Sequence, residues 1–326
     1  MKEKTTVGGQ AVIEGVMMRG RLNMATAVRK SNGEIEVDVR KNEPYCKRNK
    51  LFSLPLIRGF VTLLESLVEG IKALNYSASF FEEEIKEEDK LGIWFKKIFK
   101  EKSDDVITGI SLFISLIFAF GLFFALPTLA ARGLRLLRVT SPWVLNLAEG
   151  LIGVLIFLTY IFVIGKLEDI KRVFEYHGAE HKTIFCYESG MELTPENAKK
   201  FSRLHPRCGT NFMFLVIVVS ILVFSLVGWN NLIQRLISRL LLLPLISGIA
   251  YELIKWLGKN NGPVAKVIGY PGLMLQKLTT REPDMEQLEV AIAALKAAEG
   301  IEDVPNIVAD SSVVDEGLCN TMVEEV

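Results

Sequence analysis

Val106-Ile107-Thr108-Gly109-Ile110-Ser111-Leu112-Phe113-Ile114-Ser115-Leu116-Ile117-Phe118-Ala119-Phe120-Gly121-Leu122-Phe123-Phe124-Ala125-Leu126-Pro127-Thr128-Leu129-Ala130-Ala131 carries no charged side chain. A helix needs about 20 apolar residues to cross the hydrocarbon of a bilayer, so this run reads as a transmembrane span. Three more runs follow it. Residues 144–164 contain one acid, Glu149, near their start, and residues 212–227 reach spanning length only with their flanks. Residues 232–257 carry Arg235, Arg239 and Glu252. The expected fold is therefore an integral membrane protein, mainly α, with four transmembrane helices.

Basic residues cluster on one side of these spans. Lys96, Lys97, Lys100 and Lys102 precede the first, Lys166, Lys171, Arg172, Arg203 and Arg207 lie between the second and third, and Lys259 follows the fourth. The opposite side has Arg132, Arg135 and Arg138, with Arg235 and Arg239 at the mouth of the last span, where they can snorkel to that surface. The positive-inside rule then places both termini and the loop 166–211 in the cytoplasm of a multi-pass cell-membrane protein. Residues 1–6 lead into Gly- and Met-rich sequence without an apolar core, so no signal peptide is expected. Cys46, Cys186, Cys208 and Cys319 all fall on the cytoplasmic side, where thiols stay reduced. The balance of 38 basic against 38 acidic residues gives no reason to expect a nucleic-acid partner. The bilayer is the expected partner, and a homo-oligomer is compatible with so few spans.

Outside the spans, residues 1–50 read as a small β module. Residues 25–30 and 34–40 alternate around Ser31-Asn32-Gly33, a hairpin signal. The glycines of the segment 8–20 suit turns and strand edges. Within 51–105, residues 56–75 form an amphipathic helix pattern that suits either the membrane interface or packing against the spans, and 82–89 are a charged connector. Trp94, Phe95 and Phe99 among lysines resemble an interfacial anchor. After the four-span region 106–257, the segment 258–300 begins with glycine-rich, irregular sequence over 258–272 and contains a helix at 285–298. Residues 301–326 hold seven acids and no Lys or Arg, the composition of a disordered tail.

All three histidines, His177, His181 and His205, fall in the single loop 166–211. His177 and His181, four residues apart, project from one face of a helix and can reach one ion. With Glu180 they spell H-x-x-E-H, an inversion of the zinc-protease order, in which the glutamate is a base toward metal-bound water rather than a ligand. His205 and Cys208 are the best further ligands, and Glu175 could ligate or support one. Three protein ligands would leave an open, catalytic zinc, and four would close a structural one. Cys186 lies off the face of the pair and reads as a buried small hydrophobe. Thr194 and Pro195 are placed as N-cap and first residue of a short helix that delivers His205. The intramembrane carboxylates Glu149 and Glu252 invite a role as a proton relay or as a partner for arginine, with a transporter in view, or else sit near span ends. Glu252, near the cytoplasmic side, could reach the histidine loop.

The runs 8–20, 176–182 and 205–211, together with Leu54-Pro55-Leu56-Ile57-Arg58-Gly59 and Thr279-Thr280-Arg281-Glu282-Pro283-Asp284, resemble the YqhQ-type family of bacterial membrane proteins. The resemblance covers roughly residues 5–300. It implies that His177, Glu180, His181, His205 and Cys208 belong to a signature of a predicted metal-dependent enzyme, and it implies no substrate.

These readings combine into a metal-dependent hydrolase at the cytoplasmic membrane face. For hydrolysis, zinc or another divalent metal would be held by His177, His181 and His205 with Glu180 as catalytic base, and Cys208 as a fourth ligand would close the site into a structural one. A scaffold with a structural zinc and a transporter component are the alternatives.

Overall fold

The computed structural model describes residues 7–81, 103–134, 141–226, 232–260, 262–301 and 307–308. The charged connector, the Trp94–Phe95–Phe99 anchor and most of the acidic tail lie outside those residues.

Strands β1 (Gly8–Val12), β2 (Gly15–Arg19), β3 (Asn23–Arg29) and β4 (Ile35–Lys41) form an antiparallel meander. The expected hairpin is β3–β4, its turn closed by Gly33 in the left-handed region at φ 88°. Where a disordered tail was expected, β5 (Ile307–Val308) pairs in parallel with β4. Successive side chains of a strand point to opposite faces, and here both faces are covered. Val16, Met18, Ala25, Ala27 and Val37 pack into a core with Leu288, Ala291 and Leu295 of α11 (Met285–Glu299). Val12, Met17 and Val28 face Ala73 and Tyr76 of α2 (Ile57–Ser79). A short helix, α1 (Tyr45–Arg48), links β4 to α2. The same core takes in Tyr176, Ala179, Ile184 and Cys186 of α6 (Glu168–Ser189) and Ala198 of α7 (Pro195–Lys199). Three distant stretches of chain thus share one α/β core, and α6 is fixed from both sides.

The apolar sequence folds as helices. α3 (Ser103–Phe120) runs through a π-helical turn at Gly121–Ala125 into α4 (Leu126–Gly133). That turn precedes Pro127, whose ring does not fit a regular ladder. α5 is Pro142–Ile164, α8 is Gly209–Ser225, α9 is Leu232–Lys259 and α10 is Pro263–Thr279. Among the described residues, three stretches are long and apolar enough to cross a bilayer, Gly109–Gly133, Trp143–Ile164 and Leu236–Lys259, as in a membrane protein. The expected fourth, α8, has 17 residues. It covers about 25 Å at 1.5 Å per residue, against a hydrocarbon core of about 30 Å.

Three expectations change. The glycine-rich segment after α9 is helical over most of its length, as α10. Gly272 is there because α10 packs so closely on α8 that a Cβ would overlap Asn211. Arg239 does not snorkel: it is 5% exposed, bonded to Glu149 and to Thr128 Oγ1 at 2.8 Å, with its guanidinium over Phe224. Glu252 does not reach the histidines either. Arg58 of α2 takes it in a two-pronged bond of 2.6 and 2.5 Å, where Gly59 and Gly248 let α2 and α9 touch.

Candidate metal centre

The helix α6 carries H-x-x-E-H near its middle, with Gly178 as the second residue of the motif. That glycine lowers helix propensity by about 1 kcal/mol. Its place is explained by packing, because a Cβ there would overlap the carbonyl oxygen of Arg281. The segment after α10 therefore lies directly on α6. Arg281 N donates to Phe174 O at 2.8 Å, and Lys182 reaches Glu282 at 2.9 Å.

This contact places backbone carbonyls against the histidines. His177 Nδ1 lies 2.9 Å from Thr279 O, and His181 Nδ1 lies 2.5 Å from Arg203 O. A carbonyl can only accept, so both Nδ1 atoms carry the proton and both Nε2 atoms keep a lone pair. His177 Nε2 stands 3.2 Å from Cys208 Sγ, and His181 Nε2 is buried without a hydrogen-bond partner. His177, His181 and Cys208 each offer a donor atom, and these lie within 4.8 Å of one another. Zinc bonds of about 2.0 Å to nitrogen and 2.3 Å to sulfur put tetrahedral ligands about 3.5 Å apart. A small closure of the three donors would hold an ion. An imidazole whose second nitrogen donates to a carbonyl is also the usual arrangement of a metal-bound histidine.

Cys208 is delivered by the chain entering α8. Its sulfur caps that helix, accepting from Thr210 N at 3.4 Å. The short helix α7 starts as expected, with Thr194 Oγ1 accepting from Asn197 N. Lys182 closes its other end, donating to Lys199 O and Phe201 O at 3.0 and 2.7 Å.

His205 stands apart from the three donors. Its Nδ1 accepts the Arg207 N–H at 3.3 Å, so its proton is on Nε2, which is buried 4.0 Å from Glu188. Burial holds its pKa below the usual histidine value, with Glu188 pulling the other way. Its ring lies beside those of Phe185 and His181, at centroid distances of 4.6 and 5.6 Å. Glu175 is bonded to Gln287 at 3.0 Å and is not one of the grouped donors.

Glu180 is 5% exposed and packs against Gly9 of β1, where a Cβ would lie 3.0 Å from its carboxyl carbon. Burial pushes its pKa up to about 7, opposed by His177 and by the Gly9 N–H. The β1–β2 hairpin is pinned on the same helix, Glu14 pairing with Arg172 and accepting from Tyr176 Oη at 3.2 Å. Segment 8–20 and the histidine helix therefore meet in space.

Several contributors escape sequence reasoning. Gln276 of α10 accepts from His205 N at 2.7 Å and donates to His205 O at 2.8 Å, fixing the approach to Cys208. Thr279 and Arg203 act through their carbonyls. The run 279–284 stood out only through the family resemblance.

The family described as "Protein of unknown function (DUF1385)" matches residues 54–300. The chain belongs to the DUF1385 family. It is similar to "Uncharacterized protein YqhQ" of Bacillus subtilis (strain 168), 38% identical over 295 residues that cover 87% of this chain and 89% of that one. No solved structure matches. The DUF1385 region holds every donor of the candidate centre, while Gly9, the support of Glu180, lies N-terminal to it.

Proposed function

We propose that this chain is an integral membrane protein with both termini in the cytoplasm. It holds a divalent metal, zinc by its donor set, at the cytoplasmic face and uses it for hydrolysis. The apolar helices support the membrane part, since they leave large side chains such as Phe113, Phe118, Leu151, Leu155 and Leu241 facing outward. In water such a surface would drive association; in lipid it is matched.

The observation that carries the metal reading is His181. Its Nδ1 is committed to Arg203 O, and its Nε2 is buried, without a partner, beside His177 and Cys208. A buried polar atom left unpaired costs about 1–3 kcal/mol, and an ion at that point removes the cost. Two imidazoles and a thiolate are a donor set suited to zinc. When bound, the metal would lower the pKa of a coordinated water toward neutrality. His177, His181 and Cys208 hold it, and Glu180 beside His177 is the general base. Three protein donors suit an open site better than a closed one.

A structural zinc is the second reading, favoured by the nearness of His205. The ring centroid of His205 lies 5.6 Å from that of His181.

Metal content per chain of detergent-purified protein tests the proposal. About one zinc in the wild type, lost in His181→Ala and kept in Glu180→Gln, is the expected result for a metal held by these donors. No stoichiometric metal in folded protein would sink both readings. Hydrolytic turnover lost in Glu180→Gln with metal retained separates the enzyme from the scaffold.

A further inference from the structure

A cavity of about 440 Å³ lies between α5, α8 and α10. We propose that it seats the hydrocarbon chain of a membrane amphiphile whose polar end reaches the His177–His181–Cys208 centre. As a substrate assignment this rests on the metal-site reading; as a chain-binding site it stands alone.

The volume is that of a small-molecule site, in the range of about 300–1,000 Å³. The walls are Phe157 and Leu158 of α5, Phe214 and Ile217 of α8, and Met274 and Leu278 of α10. The lining is almost wholly apolar, so a polar ligand would lose its hydration there with little in return. A hydrocarbon chain loses nothing.

The position ties the cavity to the metal centre. Leu278 is followed directly by Thr279, whose carbonyl orients His177. Phe214 follows Cys208 by six residues, about 9 Å along a helix, and Leu158 precedes the end of α5 by the same rise. The α5 and α8 walls therefore begin about one and a half turns inside the helix ends, while the α10 wall runs to the residue before Thr279. A chain in the cavity would point its polar end at the three donor atoms. The entrance faces outward, where Leu158, Leu278 and Tyr270 are partly exposed on the surface that lipid would cover. The cavity is kept open by how α10 is held. Gln276 and Gly272 clamp α10 to the 205–211 segment, so it cannot slide toward α5.

The test is photo-crosslinking of the full-length protein in lipid nanodiscs. Two phospholipid probes are used, with the diazirine at the chain terminus or near the ester, and labelled peptides are mapped by mass spectrometry. The terminal probe should label 214–217 and 270–274 above the level of other apolar helix faces, and the ester-proximal probe should shift labelling toward 276–281 and 205–211. Met274→Trp and, independently, Ile217→Trp should cut this labelling several-fold, whereas Leu222→Trp on the exposed face of α8 should not. Uniform labelling of all apolar faces, or a pattern unmoved by both filling variants, would overturn the proposal. Zinc is assayed in the same samples. Labelling that persists in metal-free His181→Ala supports the chain site, and zinc without enriched labelling removes the chain site and leaves the metal reading intact.

Discussion

His177 Nε2 lies 3.2 Å from Cys208 Sγ across 31 residues of sequence, held there because His177 Nδ1 is bonded to Thr279 O and Cys208 caps α8. Two elements far apart in the chain are thus aimed at one point. The three donors should act as a unit and His205 should not. Cys208→Ser and His177→Ala should weaken metal affinity by more than the about 10–100-fold typical of losing an outer partner. His205→Ala should retain stoichiometric metal. Competition with a chromophoric chelator measures all three. Equal loss in His205→Ala and Cys208→Ser would show that His205 is a ligand and the three-donor set is incomplete.

Gly178→Ala sets two effects of opposite sign against each other. Helix propensity favours alanine by about 1 kcal/mol. The new methyl would overlap Arg281 O, a backbone atom of a residue whose own N–H is bonded to Phe174 O. Overpacking of this kind costs about 1–3 kcal/mol, more when the obstacle is backbone. The variant should therefore be less stable, seen as a lower melting temperature in detergent. Stabilisation would mean that the segment after α10 does not rest on α6.

That same glycine marks where sequence reasoning stops. The apolar runs are legible because burial in lipid needs only length and composition. The pair His177 and His181 is legible because a four-residue spacing is local geometry, and the β3–β4 hairpin because Asn32-Gly33 is turn chemistry. The carbonyls of Thr279 and Arg203 are not legible, since every residue has one. His205 is separated from the donors by a bond to its own neighbour's N–H, a matter of ring orientation that no spacing encodes. α10 reads as irregular because glycine and proline are penalised locally, while their benefit, close approach to α8, is tertiary. The cover of the sheet by α11 comes from the far end of the chain.

Gln276→Leu isolates the support of the site from its donors. The side chain satisfies both backbone groups of His205, which is 3% exposed. Leucine keeps the apolar bulk and leaves the His205 N–H unpaired, about 1–3 kcal/mol, while the His205 carbonyl keeps the Cys208 N–H at 3.3 Å. The expected outcome is faster limited proteolysis between 200 and 208 and weaker metal binding, with α6 unchanged in amide exchange. Unaltered metal affinity would show that the 205–208 turn holds Cys208 without help from α10.

The pair Glu149–Arg239 predicts that a double variant is more stable than either single one. Both side chains are almost fully buried, 4% and 6% exposed, and both meet Thr128. Removing one partner takes the counter-charge from the other inside an apolar bundle, a loss of about 3–5 kcal/mol. Removing both leaves neither charge, and packing between α4, α5 and α9 can take over. Glu149→Leu and Arg239→Leu should each fold poorly, with low yield and a depressed melting temperature in detergent. The double variant should recover most of the difference, because desolvating the pair already offsets much of its attraction. A double variant as unstable as the worse single one would mean that the pair is needed for its charge rather than for its neutrality, and would reopen a role for these residues in moving ions.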